Sequence, residues 1–501
     1  MPYNTNNSVP SSDLRDFADN QKTMDEVVNS SSKEVTTRTG KKVKTLAGLQ
    51  ADVVAIGQSA SQSAQAAANS ATAAAQSAAD AANSAAATGY VDAPFPDVWA
   101  PLSDDLRLLA GVAPADTITV AGTSYPLPTK SMSFTRSTTG TYIDKSGVLK
   151  TAAVNEPRFE REGLLMEGQS TNYILNSDDP SKWENGTQLT KTVLAADGYS
   201  QSITGKFVVN SEITVSSIVR SSAITVVVGD TVTTSGRAKC SSGLIRVLFR
   251  IDTLTAALAY IDPNNPSYDN KSGPVTITTQ VIQDGYVYFT ATLTAATAGS
   301  CDSYISANKL GSEAVMPVGA EFYLQMPQTE KNPVATSYIP TGSAAVTRSP
   351  DNWSIPAENI GYRTLASKIN RTIAFEFVVK GLGPAANSYV DVLRVPGVTN
   401  DIVCRISASN RLTSYRDGGG VFVPYTPDIS GIYVHQLDSD KYTVYFGGNT
   451  STRTQAPNDT TGTASNVSNS TGPSGTAFVY HIRNLRFWHR LLSDIQIKGL
   501  R

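Results

Sequence analysis

Small and apolar residues recur along residues 46–88 with steps of three and four. Leu46, Leu49, Val53, Ile56, Ala60, Ser63, Ala67, Ser70, Ala74, Ser77, Ala81 and Ser84 follow this spacing without a break, the a and d positions of a heptad. The triplets Gln62-Ser63-Ala64, Asn69-Ser70-Ala71, Gln76-Ser77-Ala78 and Asn83-Ser84-Ala85 repeat the pattern in full. Alanine is the strongest helix former, so the segment predicts one continuous helix. Its strict seven-residue period favours supercoiling with copies of itself. Leu46, Leu49, Val53 and Ile56 are the large residues that would clamp the strands together, and the small positions beyond them let backbones approach. A disordered Ala/Ser linker is the alternative. A membrane span is disfavoured, because Ser, Asn and Gln recur throughout.

The other patterns are shorter. Near the start, Leu14, Phe17, Met24 and Val28 fall on one side of a predicted helix, with Ser11 or Ser12 as its cap. One short amphipathic helix makes no core, so this face calls for a partner copy or another protein. Gly89 stops the long helix. Six prolines between 89 and 130 then predict a stiff connector, with a short helix over 103–110. From 131 onward the period changes to two. Strands are predicted at 131–135, 141–144, 163–167, 207–209, 224–228, 245–251, 275–282, 286–293 and 321–326. A second set covers 372–380, 389–395, 401–406, 442–446 and 477–487. Turn signals such as Asp284-Gly285 separate them, and no helical period intervenes. Antiparallel sandwiches follow, and parallel βαβ units do not. The near-apolar-free stretch 447–475 reads as a long loop.

Composition narrows the function classes. The chain has 501 residues, 41 basic and 43 acidic, for a net charge of −2. With its basic residues scattered, it offers no phosphate-tracking face, and no nucleic-acid partner is expected. Three distant cysteines give neither a disulfide framework nor metal-ligand spacing. The first residues carry no basic and apolar leader pattern, so synthesis and folding in a cytosol are expected.

The residues from Phe134-Thr135-Arg136-Ser137-Thr138-Thr139-Gly140-Thr141-Tyr142-Ile143-Asp144 through Asn155-Glu156-Pro157-Arg158-Phe159 to Gly163-Leu164-Leu165-Met166-Glu167 resemble a module of tailed-bacteriophage tail fibres. Ser170-Thr171-Asn172-Tyr173-Ile174-Leu175-Asn176-Ser177 continues the match. Ala335-Thr336-Ser337-Tyr338-Ile339-Pro340-Thr341, ending in Val346-Thr347-Arg348, is similar to its close. His481-Ile482-Arg483-Asn484-Leu485-Arg486-Phe487-Trp488 is similar to the last strand of laminin-G/concanavalin-like sandwiches. The opening Ser11 to Asn20 stretch is similar to the virion-attachment ends of such fibres. The resemblance implies a homotrimer, attached to phage tail proteins through its N-terminus, with its C-terminus toward a bacterial surface polysaccharide or lipopolysaccharide. The location it implies is the virion tail, after synthesis in the host cytoplasm.

The fold class expected is therefore mainly β: an N-terminal α-helical anchor and trimeric coiled-coil stalk, then two antiparallel β-sandwich (jelly-roll) domains. The boundaries expected are 1–45 for attachment, 46–88 for the stalk and 89–130 for the connector. A carbohydrate-binding-module-like sandwich follows at 131–348, and a laminin-G-like one at 349–501.

Candidate chemistry is sparse. Glu156, Glu160, Glu162 and Glu167 sit beside Arg158 and Arg161 in what reads as a hairpin of solvated ion pairs. His435, His481 and His489 lie near no nucleophile motif, so no catalytic residue and no cofactor is expected. Asp401, Asp417 and Asp438 lack calcium-loop spacing, so no metal is assigned. Sugar binding needs aromatic faces beside hydrogen-bonding groups. Tyr415, Arg416 and Asp417 before a triple-glycine turn, with Tyr425 beyond it, form the candidate glycan-binding set. Packing at sheet edges is the competing reading of these tyrosines. The tryptophans 183, 353 and 488 are expected in cores. The function expected is adsorption by non-catalytic glycan binding. A glycan-degrading fibre, or an adaptor carrying another receptor-binding protein, is the alternative.

Overall fold

The computed structural model describes residues 8, 11–87, 93–109, 117–120, 122–126, 132–198, 200–355, 370–380, 389–395, 401–407, 411–416, 419–426, 429–454, 467–470 and 478–500. The chain divides into two compact units, Met1–Val91 and Asp92–Arg501.

The first unit is two helices and a hairpin. Helix α1 spans Leu14–Asn29, and its cap is Asp13, whose carboxylate accepts from the Arg15 amide. The expected serine cap gives way because Ser11 instead accepts from the Asp13 amide, at 3.2 Å. Strands Glu34–Thr36 and Lys42–Lys44 pair antiparallel. Thr45 then caps helix α2, Leu46–Ala87, its hydroxyl accepting from the Gly48 amide at 3.0 Å. At about 1.5 Å per residue, α2 extends roughly 60 Å. Gly48 is required there: a Cβ would lie 2.1 Å from the Lys33 carbonyl oxygen. Buried Asp16 meets buried Arg38 at 3.5 Å and fastens α1 to the hairpin. The predicted stop at Gly89 lies outside the described residues.

The second unit is mainly β, built of antiparallel sheets in two sandwiches. One sandwich pairs an eight-stranded with a seven-stranded sheet, and the other has two six-stranded sheets. Each has its own core. Phe375, Phe377, Tyr433 and Tyr480 meet Val392, Val403, Leu412 and Val423 in the first. Phe207, Phe289 and Phe322 meet Val247, Phe249 and Ile305 in the second. Trp183, Trp353 and Trp488 are all buried.

The two sandwiches do not follow one another along the chain. Strand Gly163–Glu167 pairs with Val479–Trp488, and Ser133–Thr135 pairs with Asn352–Ile355. Residues 133–135 and 163–167 therefore belong to the sandwich that the C-terminal strands complete, and the other sandwich is inserted within it. The boundary expected at 348 is crossed by these pairings. Sequence order could not show this, because strand partners 300 residues apart leave no local trace. The connector also contributes: Val98–Ala100 pairs with Val479–Trp488, and the Pro94 carbonyl accepts from Trp488 at 2.6 Å. No helix forms over 103–109, the described part of the helix expected there. The predicted loop 447–475 holds strands Asn449–Thr454 and Val467–Ser470.

A buried ionic cluster sits where the chain leaves and re-enters the outer sandwich. Arg158 meets Asp351 at 2.6 Å and Glu167 at 2.7 Å, Arg136 meets Asp351 at 3.3 Å, and Arg348 binds Glu167. All five are essentially inaccessible. Burial raises the Glu167 carboxyl, but Arg348, Arg158 and the donors of Ser337 outweigh it and hold it at about 2. Three guanidiniums face two carboxylates, and Arg136 offsets the excess by donating to the Ala153 and Glu156 carbonyls at 2.9 and 3.0 Å. The solvated hairpin expected around Glu167 is thus a buried network, since both chain crossings close over it. Gly163 belongs to the same seam: at φ +119°, its Cβ position lies 2.6 Å from the Ile482 carbonyl oxygen.

Candidate functional site

A partly exposed ring-and-charge surface lies on the outer face of the seven-stranded sheet. Strands Tyr389–Val395, Asp401–Ser407, Arg411–Arg416 and Gly419–Pro424 follow one another there. Alternation sends Val390, Ile406, Leu412, Val421 and Val423 into the core. Asp391, Arg405, Thr413 and Phe422 fall in register across the four strands on the other side. The Arg405 guanidinium lies 3.6 Å from the Tyr389 ring centroid and 5.1 Å from that of Tyr415. Asp391 holds it in place, accepting from Nε at 2.5 Å and from Nη2 at 3.2 Å. Arg411 covers the Phe422 ring at 4.2 Å, and the Ser407 and Thr413 hydroxyls meet at 3.1 Å. Tyr415 is 37% exposed and Phe422 46%. Such a surface offers ring faces to sugar C–H groups and fixed donors to hydroxyls.

The predicted set divides on this sheet. Tyr415 stands on the exposed face. Arg416 ends its strand in backbone register with Gly419, and Asp417 lies outside the described residues. Tyr425 is a correction: it is 5% exposed and belongs to the core. It shares the parity of Val421 and Val423, so the pleat turns its ring inward, and burial pushes its hydroxyl pKa up. The same parity brings Phe422 out, and period-two counting from Val421 would have found it. Arg405 and Tyr389 were beyond reach, because their meeting depends on cross-strand register.

A second concavity, of about 540 Å³, lies over the eight-stranded sheet beside helix α3, Asp494–Lys498. Gln436, Asp438, Lys441, Tyr445, Asp494 and Lys498 are among its walls. The Tyr445 hydroxyl stands 3.2 Å from both Gln436 Oε1 and Asp494 Oδ1, and burial together with Asp494 pushes it up to about 12. The sequence held no sign of this cleft beyond the tyrosine itself. Glu160 and His481 pair at 2.8 Å, with Glu162 nearby and Lys380 3.9 Å from it. The other Glu160 oxygen accepts from the Ile143 amide at 2.8 Å, so this group ties three strands.

In the helical unit, Leu14, Phe17, Met24 and Val28 are all half exposed or more. So are Leu46, Leu49, Val53 and Ile56. Neither apolar row is covered by the unit that carries it. Among the described residues, no helix is long and apolar enough to cross a membrane.

No family model matches the chain, and neither does any curated protein. Solved structures do. Trypanosoma rangeli sialidase in complex with sialic acid matches at 11% identity, over 77% of this chain and 76% of that one, with TM-score 0.24. The tandem CBM22-1-CBM22-2 domains of Paenibacillus barcinonensis Xyn10C match at 9% identity, over 64% and 98%, with TM-score 0.22. Domains LG4-5 of the mouse laminin alpha1 chain match at 11% identity, over 57% and 89%, with TM-score 0.20.

Proposed function

We propose that this protein is a bacteriophage tail fibre that adsorbs to a bacterial surface glycan without cleaving it. The observation that carries the reading is the exposed Tyr389–Arg405–Tyr415 face, where a guanidinium is fixed between two rings by Asp391. The stack leaves the Tyr415 ring face and guanidinium donors open to a sugar. The uncovered heptad positions Leu46, Leu49, Val53 and Ile56 support assembly into a trimeric coiled coil. The uncovered residues Leu14, Phe17, Met24 and Val28 supply the face for a tail protein. Three copies on one shaft raise the avidity of a weak sugar contact.

The test is retention of the full-length protein on envelopes of candidate host bacteria, with released sugar measured alongside. The expected result is retention without sugar release, weakened about ten-fold in Tyr415→Ala at unchanged thermal midpoint, roughly 1.4 kcal/mol per site. Equal retention of the variant rejects this face as the contact. Release of oligosaccharide rejects the non-catalytic reading.

A further inference from the structure

The inserted sandwich carries a second outward face, unrelated to the Tyr415 surface. On strand Leu244–Ile251, Ile245, Val247, Phe249 and Ile251 enter the core, so Arg246, Leu248 and Arg250 point away from it. Cross-strand register sets Ser217 beside Ser306, Ser306 beside Arg246, and Arg246 beside Tyr260. The next row places Tyr304 beside Leu248, and the one after places Asp302 beside Arg250.

The charges on this face do not balance. Arg250 and Arg220 share a single carboxylate, Asp302, at 2.7 and 3.0 Å, and flank the Tyr304 ring at 4.5 and 5.2 Å. Among the described residues no carboxylate pairs with Arg246; the neighbouring strands set Ser217, Ser306 and Tyr260 on its face instead. Its Nε and the hydroxyls of Ser217 and Ser306 have no hydrogen-bond partner, and Ser306 is fully buried. Leaving such buried groups without a partner forfeits the hydrogen bonds they made to water in the unfolded chain. Burial also lowers the Arg246 pKa, and Tyr260 opposes that shift. A fold gains nothing from an unpaired half-buried guanidinium, whereas an anionic ligand does.

We propose that this face is a separate binding site for an acidic polysaccharide, in which Arg246 takes a uronate carboxylate and Tyr260 supplies a ring face to an adjoining sugar. The ligand class rests on the glycan-binding reading, but the residues are those of the other sandwich. Arg250 and Arg220, each half paired by the shared Asp302, add positive field along the same face.

The experiment uses the full-length protein, immobilised polygalacturonate and the same polymer with its carboxyls reduced. The expected outcome is retention on the charged polymer about ten-fold tighter than on the reduced one, weakening as salt rises. Arg246→Met is expected to abolish that difference while melting no earlier than the parent, since it removes an unpaired charge. Tyr415→Ala is expected to leave it unchanged, which separates failure of this site from failure of the other. If Arg246→Met does not fold, Arg246→Lys keeps the charge but loses the planar fork, and about three-fold weaker binding is expected. Equal retention on both polymers, no retention on either, or full retention by the folded Arg246 variants overturns the proposal.

Discussion

The helical unit and the β unit treat the same kinds of residue in opposite ways. In the β unit, Phe375, Phe377 and Phe249 are fully buried, and even the charges of Arg158, Glu167 and Asp351 are enclosed and paired. In the helical unit, Phe17, Met24, Leu49 and Ile56 lie half exposed or more, and the buried polar contact of note is Asp16 with Arg38. The β unit completes its own core. The helical unit holds its shape by caps and a hairpin while presenting two apolar rows for something else to cover. The buried core and the uncovered apolar rows thus lie in different parts of the chain.

The sharpest way to break that contrast is Asp351→Ala. It strips Arg158 and Arg136 of their shared carboxylate and leaves buried charge uncompensated, which costs about 3–5 kcal/mol. All four tryptophans, at 99, 183, 353 and 488, lie in the β unit, so their fluorescence midpoint should fall while helical dichroism at 222 nm holds. A joint loss of both signals would show that the units fold as one.

Acid comes next. The Glu167 pKa is depressed in the fold, from an ordinary value of 4.5 to about 2. Its contribution is therefore complete above about pH 4.5 and is lost as pH falls toward 2, up to about 3 kcal/mol. Buried Glu330 is shifted the other way, raised by burial against the donors of Ser170 and Thr336. Glu330→Gln removes that opposing titration, so the variant should lose stability more steeply on acidification than the parent. Denaturant midpoints at stepped pH, read by tryptophan fluorescence, check both the sign and the window; a flat profile removes Glu167 from the account.

The smallest effect on folding is expected in the helical unit. Leu49→Asp with Ile56→Asp should move the tryptophan midpoint by less than about 0.5 kcal/mol, because both side chains are solvent-facing in the single chain. Sedimentation should nevertheless report loss of the proposed trimer. Unchanged mass would mean that copies associate elsewhere or not at all.

Local pattern located the elements it could. The strands predicted at 163–167 and 389–395 match their bounds, and those at 245–251, 275–282 and 442–446 differ by one residue at an end. Strands Thr231–Cys240 and Gly299–Asn308 were missed because Thr, Ser, Ala and Gly fill them, and only their position between larger strands buries them. The same limit governed the sites. Tyr415 could be named from its turn, yet Tyr425 needed the pleat to reveal it as core, and Arg246 looked like any other arginine. Even the stretch around Arg136, Arg158, Glu167 and Arg348, which reads as solvated charge, proved to form a buried ionic cluster.

By itself the sequence determined the long helix, its heptad row and the mainly β character of the described residues after 131. These follow from periodicity and propensity, which act within a few residues along the chain. The tertiary structure alone decided that one sandwich is nested in the other, that Glu167 is buried, and that Arg405 and Arg246 each sit among partners from separate strands. Those outcomes depend on pairings across as many as 394 residues, as between Pro94 and Trp488, and only cross-strand hydrogen bonding and core closure select them.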